Sequence, residues 1–241
     1  MNNRMTNTNV RYRLFADADA LARAAAGIIA QLSNDAIAAR GRFDIVLAGG
    51  TTPRQTYEHL RGENCQFDRW QVWFGDERCL PIGHVDRNDS MARAALLAHV
   101  AISPAQVHAM PAELGPAQAA RAYADVVRGV EWFDLVLLGL GEDGHTASLF
   151  PGHDHGTAPD SPAVLAVHNA PKPPPERVSL SATRLARTRQ LMFLVAGAGK
   201  HDAMCRFQRG DPIPATAIRP DAGVEVFVTR DAMPEPIPVP P

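Results

Sequence analysis

The chain has 241 residues and a mass of 26.0 kDa, enough to bury a core of its own without disulfide staples. With 46% hydrophobic and 21% charged residues it has a globular composition, which excludes disorder of the whole chain. The formal net charge of −2 offers no basic excess for nucleic acid, and no uncharged apolar run of about 18 residues suggests a membrane span.

The first fifteen residues, MNNRMTNTNVRYRLF, are polar and lack an apolar signal core, so they read as a frayed start. Asp17 to Leu32 reads as a helix capped by Asp17 or Asp19, with Leu21, Ala25, Ile28, Ile29 and Leu32 on one face. Phe43 to Ala48 is a buried strand closed by Gly49-Gly50, and Pro53 falls near the start of the next helix, where its missing N–H costs little. Gln71 to Gly75 is a second such strand, followed at its end by Asp76-Glu77-Arg78. Asp89 to Val100 and Ala117 to Val130 read as helices, and Phe133 to Leu138 as the clearest strand, closed by Gly139-Leu140-Gly141. Further strands are expected at Arg177 to Ser181, Gln190 to Val195 and Val224 to Val228, with a helix from Lys200 to Phe207.

Continuous apolar strands alternating with helices imply an α/β fold. The expected form is doubly wound and Rossmann-like: a mostly parallel sheet with helices on both faces. Proline concentrates in residues 151–175, read as a loop over the site, and in residues 234–241, read as a poorly packed tail. Neither looks like a linker between two cores, so one domain over residues 1–233 is expected.

In open parallel sheets ligands bind beyond the carboxyl ends of the strands. That rule selects Gly49–Thr52, Gly75–Arg78, Gly139–His145, the stretch around Arg177, and Gly197–Lys200. Gly49, Gly50 and Thr51 combine close backbone approach, a hydroxyl and free helix N–H groups, which suits a phosphate, although a plain capped glycine turn has the same composition. Lys200 offers a cation at a helix start. His145, two residues after Asp143, is the best acid/base candidate, because a carboxylate can fix its tautomer and orientation. Asp76 and Arg78 form a second charged pair at a strand end.

Several competing readings fail on spacing. Gly139-Leu140-Gly141-Glu142-Asp143-Gly144 matches G-x-G-x-x-G but leads into Phe150-Pro151-Gly152 rather than a helix, which argues against a dinucleotide. Gly197-Ala198-Gly199-Lys200 lacks the remainder of a Walker loop. His153-Asp154-His155 has no third spaced metal ligand, and Cys65, Cys79 and Cys205 form neither a CxxC pair nor a disulfide framework, which fits a reducing, cytoplasmic setting.

The strings LAGGTTPRQTY, VWFGDERCLP, LVLLGLGEDGHTASLFPG, PKPPPERVSLS and VAGAGKHDAM occur in this order. Together they resemble the 6-phosphogluconolactonase family, which is grouped with the glucosamine-6-phosphate isomerases/deaminases. The resemblance runs from about Leu14 to Val228. It implies hydrolysis of 6-phospho-D-glucono-1,5-lactone without metal or organic cofactor. It further implies that Gly49, Gly50, Thr51, Arg177 and Lys200 hold the phosphate, that His145 with Asp143 activates water, and that Asp76 and Arg78 lie beside the substrate. A monomer or small homo-oligomer with a small-molecule partner is expected.

Two departures stand out. The family commonly reads Gly-Gly-Ser where Thr51-Thr52 follow Gly49-Gly50 here, and many relatives carry Asp-Ser-Asn where this chain reads Arg87-Asn88-Asp89-Ser90-Met91, a segment left without a role. Two rival functions are less well supported. The deaminase branch follows its Asp-Gly-His with a stretch whose glutamate assists ring opening, whereas Thr146 to Pro151 here places Phe150, which cannot transfer a proton. A non-catalytic sugar-phosphate sensor would need a DNA-binding segment, and about a dozen residues before the first α/β element are too few.

Overall fold

The computed structural model describes residues 10–234. Residues 1–9, and residues 235–241 of the proline-rich tail, lie outside the described part. The strands are β1 (Val10–Phe15), β2 (Phe43–Leu47), β3 (Trp70–Phe74), β4 (Asp76–Arg78), β5 (Val107–His108), β6 (Leu135–Gly139), β7 (Val164–Val167), β8 (Arg177–Leu180), β9 (Leu191–Val195) and β10 (Val224–Thr229). The helices are α1 (Ala18–Arg40), α2 (Thr51–Leu60), α3 (Asn88–Ala92), α4 (Pro116–Val127), α5 (Ala182–Ala186) and α6 (His201–Arg209).

Seven strands form a parallel sheet in the order β1-β10-β9-β6-β2-β3-β5, and a separate antiparallel sheet runs β4-β8-β7. Every residue of β2, β9 and β10 is buried, as expected of strands covered on both faces. The connections β2→β3→β5 step one way along the sheet, and β5→β6→β9→β10 step the other. Right-handed crossovers therefore put α1, α2 and α3 on one face and α4, α5, α6 and the small sheet on the other. The packing agrees: α1 lies on α2, and α4 lies against β7 and β8. The direction reverses between the neighbours β2 and β6, which opens a crevice at their carboxyl ends.

Local chemistry explains where the observed elements depart from expectation. The helix α1 runs past Leu32 to Arg40, because Ala36 and Ile37 continue its buried face beyond the polar Asn34-Asp35 pair. Asp17 caps it through Ala20 N–H at 2.8 Å, and Gly41, at φ 77°, ends it by returning its N–H to Ile37 O.

The stretch read as a frayed start contains β1, an edge strand whose Arg11 and Arg13 both pair with Glu225 of β10. The expected helix from Asp89 breaks after α3 into a π-helical turn over Arg93–Leu97. The segment 151–175 is not all loop, since it contributes β7. The strand at Arg177 belongs to the antiparallel sheet, where it pairs with the Asp76-Glu77-Arg78 strand instead of joining the parallel one.

Candidate active site

The turns after β2 and β6 face each other across the crevice, and β4, β8 and the turn after β9 close it into a cleft of about 460 Å³. The structure brings together in its lining Gly49, Gly50, Thr51, Asp76, Arg78, His145, Arg177 and Lys200 from among the sequence candidates. Asp143 sits just behind His145.

The turn after β6 is built around that pair. His145 Nδ1 is 2.5 Å from Asp143 Oδ1, which also accepts the His145 backbone N–H at 3.2 Å. An ideal Cβ at Gly141 would fall 1.9 Å from His145 Nδ1 and 2.7 Å from Asp143 Oδ1, so only glycine lets imidazole and carboxylate lie on this backbone. Arg206 of α6 donates to the Asp143 carbonyl at 3.1 Å and braces the turn from below. The ring of Phe150 lies 4.8 Å from that of His145.

Burial pushes the imidazole below its ordinary value, against the opposing pull of the Asp143 hydrogen bond and charge. Burial also acts to raise Asp143, but the His145 contacts outweigh it and the carboxyl ends up lowered. Nδ1 is engaged by Asp143, which leaves Nε2 as the nitrogen free to act as a base.

On the β2 side, Gly50 takes φ 109° and leaves the start of α2 without a side-chain cap, so the first N–H groups of the helix remain available to an anion. Asp76 is buried and held at both carboxylate oxygens: Ser148 Oγ donates to Oδ2 at 2.5 Å and Asn88 Nδ2 to Oδ1 at 3.1 Å. Arg78 spends one Nη on the Asp86 carbonyl, and its Nε is buried with no partner among the described residues. Arg78 and Arg177 face each other directly across β4 and β8. Like charges so placed repel, and the nearby Asp76 carboxylate offsets that repulsion at Arg177.

Arg177 is only partly available to a ligand. Its Nε and Nη2 donate to the carbonyls of Pro174, Pro173 and Lys172 at 3.0, 3.0 and 3.1 Å, which holds that loop over the cleft. Lys172 consequently joins the lining beside Lys200. Burial lowers Lys200 from its ordinary value; Glu142 opposes this and the charge of Lys172 adds to it.

Sequence reasoning missed Lys172 and Asn88. Lys172 sits inside a quoted string, but its position depends on Arg177 five residues later. Asn88 is brought in by Glu77, whose carboxylate accepts the N–H groups of Arg78, Asn88 and Asp89 at 2.8, 2.7 and 2.9 Å. Neither arrangement leaves a local signal. The His153-Asp154-His155 segment stays outside the lining: His155 Nε2 bonds to Phe150 O and Asp154 accepts Gly156 N–H. Among the described residues, no three His, Cys, Asp or Glu side chains are grouped to hold a metal ion.

A histidine–aspartate pair and several cationic side chains gathered at the switch point of a doubly wound sheet mark an α/β enzyme. The sequence then gives the family. Residues 16–227 match the glucosamine-6-phosphate isomerases/6-phosphogluconolactonase family, and the chain belongs to it. The chain is 36% identical over 219 residues to a 6-phosphogluconolactonase of Mycobacterium leprae, covering 84% of this chain and 88% of that protein. It is 33% identical to the human 6-phosphogluconolactonase, covering 87% of each. Its structure resembles that of the Thermotoga maritima 6-phosphogluconolactonase with a TM-score of 0.84 at 26% identity, over 92% of this chain and all of that one. A monomeric glucosamine-6-phosphate deaminase shares the fold, with a TM-score of 0.77 at 20% identity, over 92% of this chain and 98% of that one.

Proposed function

We propose that the chain hydrolyses 6-phospho-D-glucono-1,5-lactone to 6-phospho-D-gluconate, the ester-opening step of the oxidative pentose phosphate pathway. The observation that carries this reading is His145, held by Asp143, in the lining of the same cleft as Lys172 and Lys200. The phosphate sits against the backbone N–H groups of Gly49, Gly50 and Thr51, which lead into α2, and against the two lysines, with Arg177 holding the Lys172 loop and adding charge. Anchoring there aims the lactone carbonyl at His145, so that phosphate binding energy is converted into orientation.

His145 Nε2 takes a proton from water as the water oxygen attacks the carbonyl carbon. Asp143 stays ionised and stabilises the imidazolium that forms. The carbonyl oxygen becomes an oxyanion, and Arg78, which lines the cleft, is the cation that offsets it. Collapse of the tetrahedral intermediate breaks the bond to the ring oxygen, which recovers the proton from His145. Asp76, held by Ser148 at one oxygen and Asn88 at the other, lies in the cleft lining beside the substrate. Phe150, packed on His145 where the deaminase branch carries an acid, leaves ring opening of an amino sugar without its proton donor.

The reaction as proposed uses no metal and no organic cofactor. The chain works as one domain with a small-molecule partner, as a monomer or small homo-oligomer, without nucleic acid. No helix of the described residues is long and apolar enough to cross a membrane, and Cys65, Cys79 and Cys205 are free thiols, in keeping with a cytoplasmic location.

The test is hydrolysis of freshly generated lactone against its spontaneous opening, with glucosamine-6-phosphate deamination measured in parallel. Acceleration of the first alone supports the reading. Acceleration of the second alone replaces it with the deaminase.

A further inference from the structure

We infer that Asn88 is a sugar-recognition residue, whose side-chain oxygen accepts a hydrogen bond from one ring hydroxyl of the substrate lying between the phosphate and the lactone carbonyl. The inference rests on the lactonase reading and adds to it a determinant of specificity.

The amide of Asn88 is fixed in orientation by what its nitrogen does. Nδ2 donates to the Asp76 carbonyl at 2.8 Å and to Asp76 Oδ1 at 3.1 Å. Both partners are acceptors, so the NH₂ group must point at them and the oxygen must point away. That oxygen lies over Gly49, where an ideal Cβ would fall 2.0 Å from it. Among the described residues no donor is hydrogen-bonded to it, although Asn88 is only 3% exposed and lines the cleft. The oxygen is not one of the fully buried side-chain atoms left without a partner, so it meets the cleft itself, and a substrate that displaces water from it must bring a donor in its place.

The chemistry of the donor follows from the surroundings. Asn88 Oδ1 and the Asp76 carboxylate beside it only accept hydrogen bonds, so the phosphate keeps to the N–H side of the Gly49 turn and the partner that Oδ1 takes must be a donor. A hydroxyl is the donor that a sugar lactone presents between its two ends. The site is also rigid. The Asn88 backbone N–H is held by Glu77 Oε1 at 2.7 Å, so main chain and side chain are both set before substrate arrives. A site built this way rejects analogues lacking the hydroxyl, because its acceptor is then left unpaired.

The experiment measures kcat/KM for 6-phosphogluconolactone and for its 2-deoxy, 3-deoxy and 4-deoxy analogues, each corrected for spontaneous opening, with wild type and Asn88→Ala. Asn88→Ser serves as a second variant should the first not fold. The wild type is expected to lose about 10–100-fold on one of the three analogues. Asn88→Ala is expected to lose a similar factor on the parent lactone and little or nothing further on that same analogue. A loss that is equal on all four lactones would mean that Asn88 only positions Asp76, and it overturns the inference. So does a wild type that treats all four lactones alike. A wild type inactive on the parent lactone overturns the lactonase reading itself.

Discussion

The imidazole of His145 lines the cleft with one nitrogen on a carboxylate, and its surroundings set its basicity. Because burial lowers its pKa below the ordinary 6.5, the neutral, basic form persists to lower pH than in a free histidine. The acid limb of kcat/KM is therefore expected below pH 6.5, with the rate falling as pH drops through it. A limb centred above pH 7 would contradict the assignment.

His145→Ala is expected to lower kcat by roughly 10²–10⁴-fold. Binding of 6-phosphogluconate should change little, since its phosphate contacts come from other turns. Asp143→Asn should cost less if the carboxylate only orients and stabilises the ring. Stopped-flow assays are needed, because spontaneous lactone opening masks slow variants. A folded His145→Ala protein with near-normal turnover would leave His145 a mere loop residue.

At the scale of elements, two turns carry the site and each depends on a particular residue to keep its shape. Gly141→Ala puts a methyl group onto the His145 ring, which must move. A displacement of about 1 Å at a reacting group costs on the order of 10²-fold, so kcat should fall by that much while the far-UV spectrum is unchanged. The arm between β4 and α3 hangs on Arg87. Its side chain is 1% exposed and bonded to Asp89 at 2.9 Å and Glu113 at 3.1 Å, with Glu77 at 3.9 Å. Arg87→Ala leaves buried carboxylates without their cation, which costs about 3–5 kcal/mol and lowers Tm by roughly 6–20 °C in a chain of this size. A Tm unchanged within 2 °C, read by thermal melt, would show that the cation is dispensable.

Elements such as β2, β6 and β9 are plain in the sequence because burial on both faces demands a nearly continuous apolar run, interrupted in β2 by Asp44 alone. By contrast β1 reads as polar: its edge position lets Arg11 and Arg13 alternate with the half-buried Val10 and Tyr12, and the partners of those arginines, Glu225 and Phe227, are far away in sequence. Similarly β7 is hidden among prolines, since its pairing with β8 is not encoded locally. The same division holds for the site. Gly49 to Thr51, Asp76, Arg78, Asp143 and His145 sit in contiguous strand-end strings and are legible there, whereas Asn88 and Lys172 reach the cleft through Glu77 and Arg177.

For the molecule as a whole, the distribution of charge follows from the fold. One end of a sheet whose chain carries a net charge of −2 gathers Arg78, Lys172, Arg177 and Lys200 around one cleft. Inorganic phosphate should occupy it and raise Tm; at 100 times its Kd the gain is about 2.7 kcal/mol, or roughly 5–11 °C. Lys200→Ala should abolish most of that shift. Exhaustive chelation should leave activity intact, and loss restored only by a divalent ion would overturn the metal-free route.

In the proposed reaction this charge aims a phosphorylated lactone at His145. The most direct test is the ratio of kcat/KM for 6-phosphogluconolactone to that for unphosphorylated glucono-1,5-lactone. Two or more charge-assisted hydrogen bonds to the phosphate predict a ratio of at least about 100, falling toward unity in a Lys172→Ala, Lys200→Ala double variant. Equal efficiency on the two lactones in the wild type would contradict it.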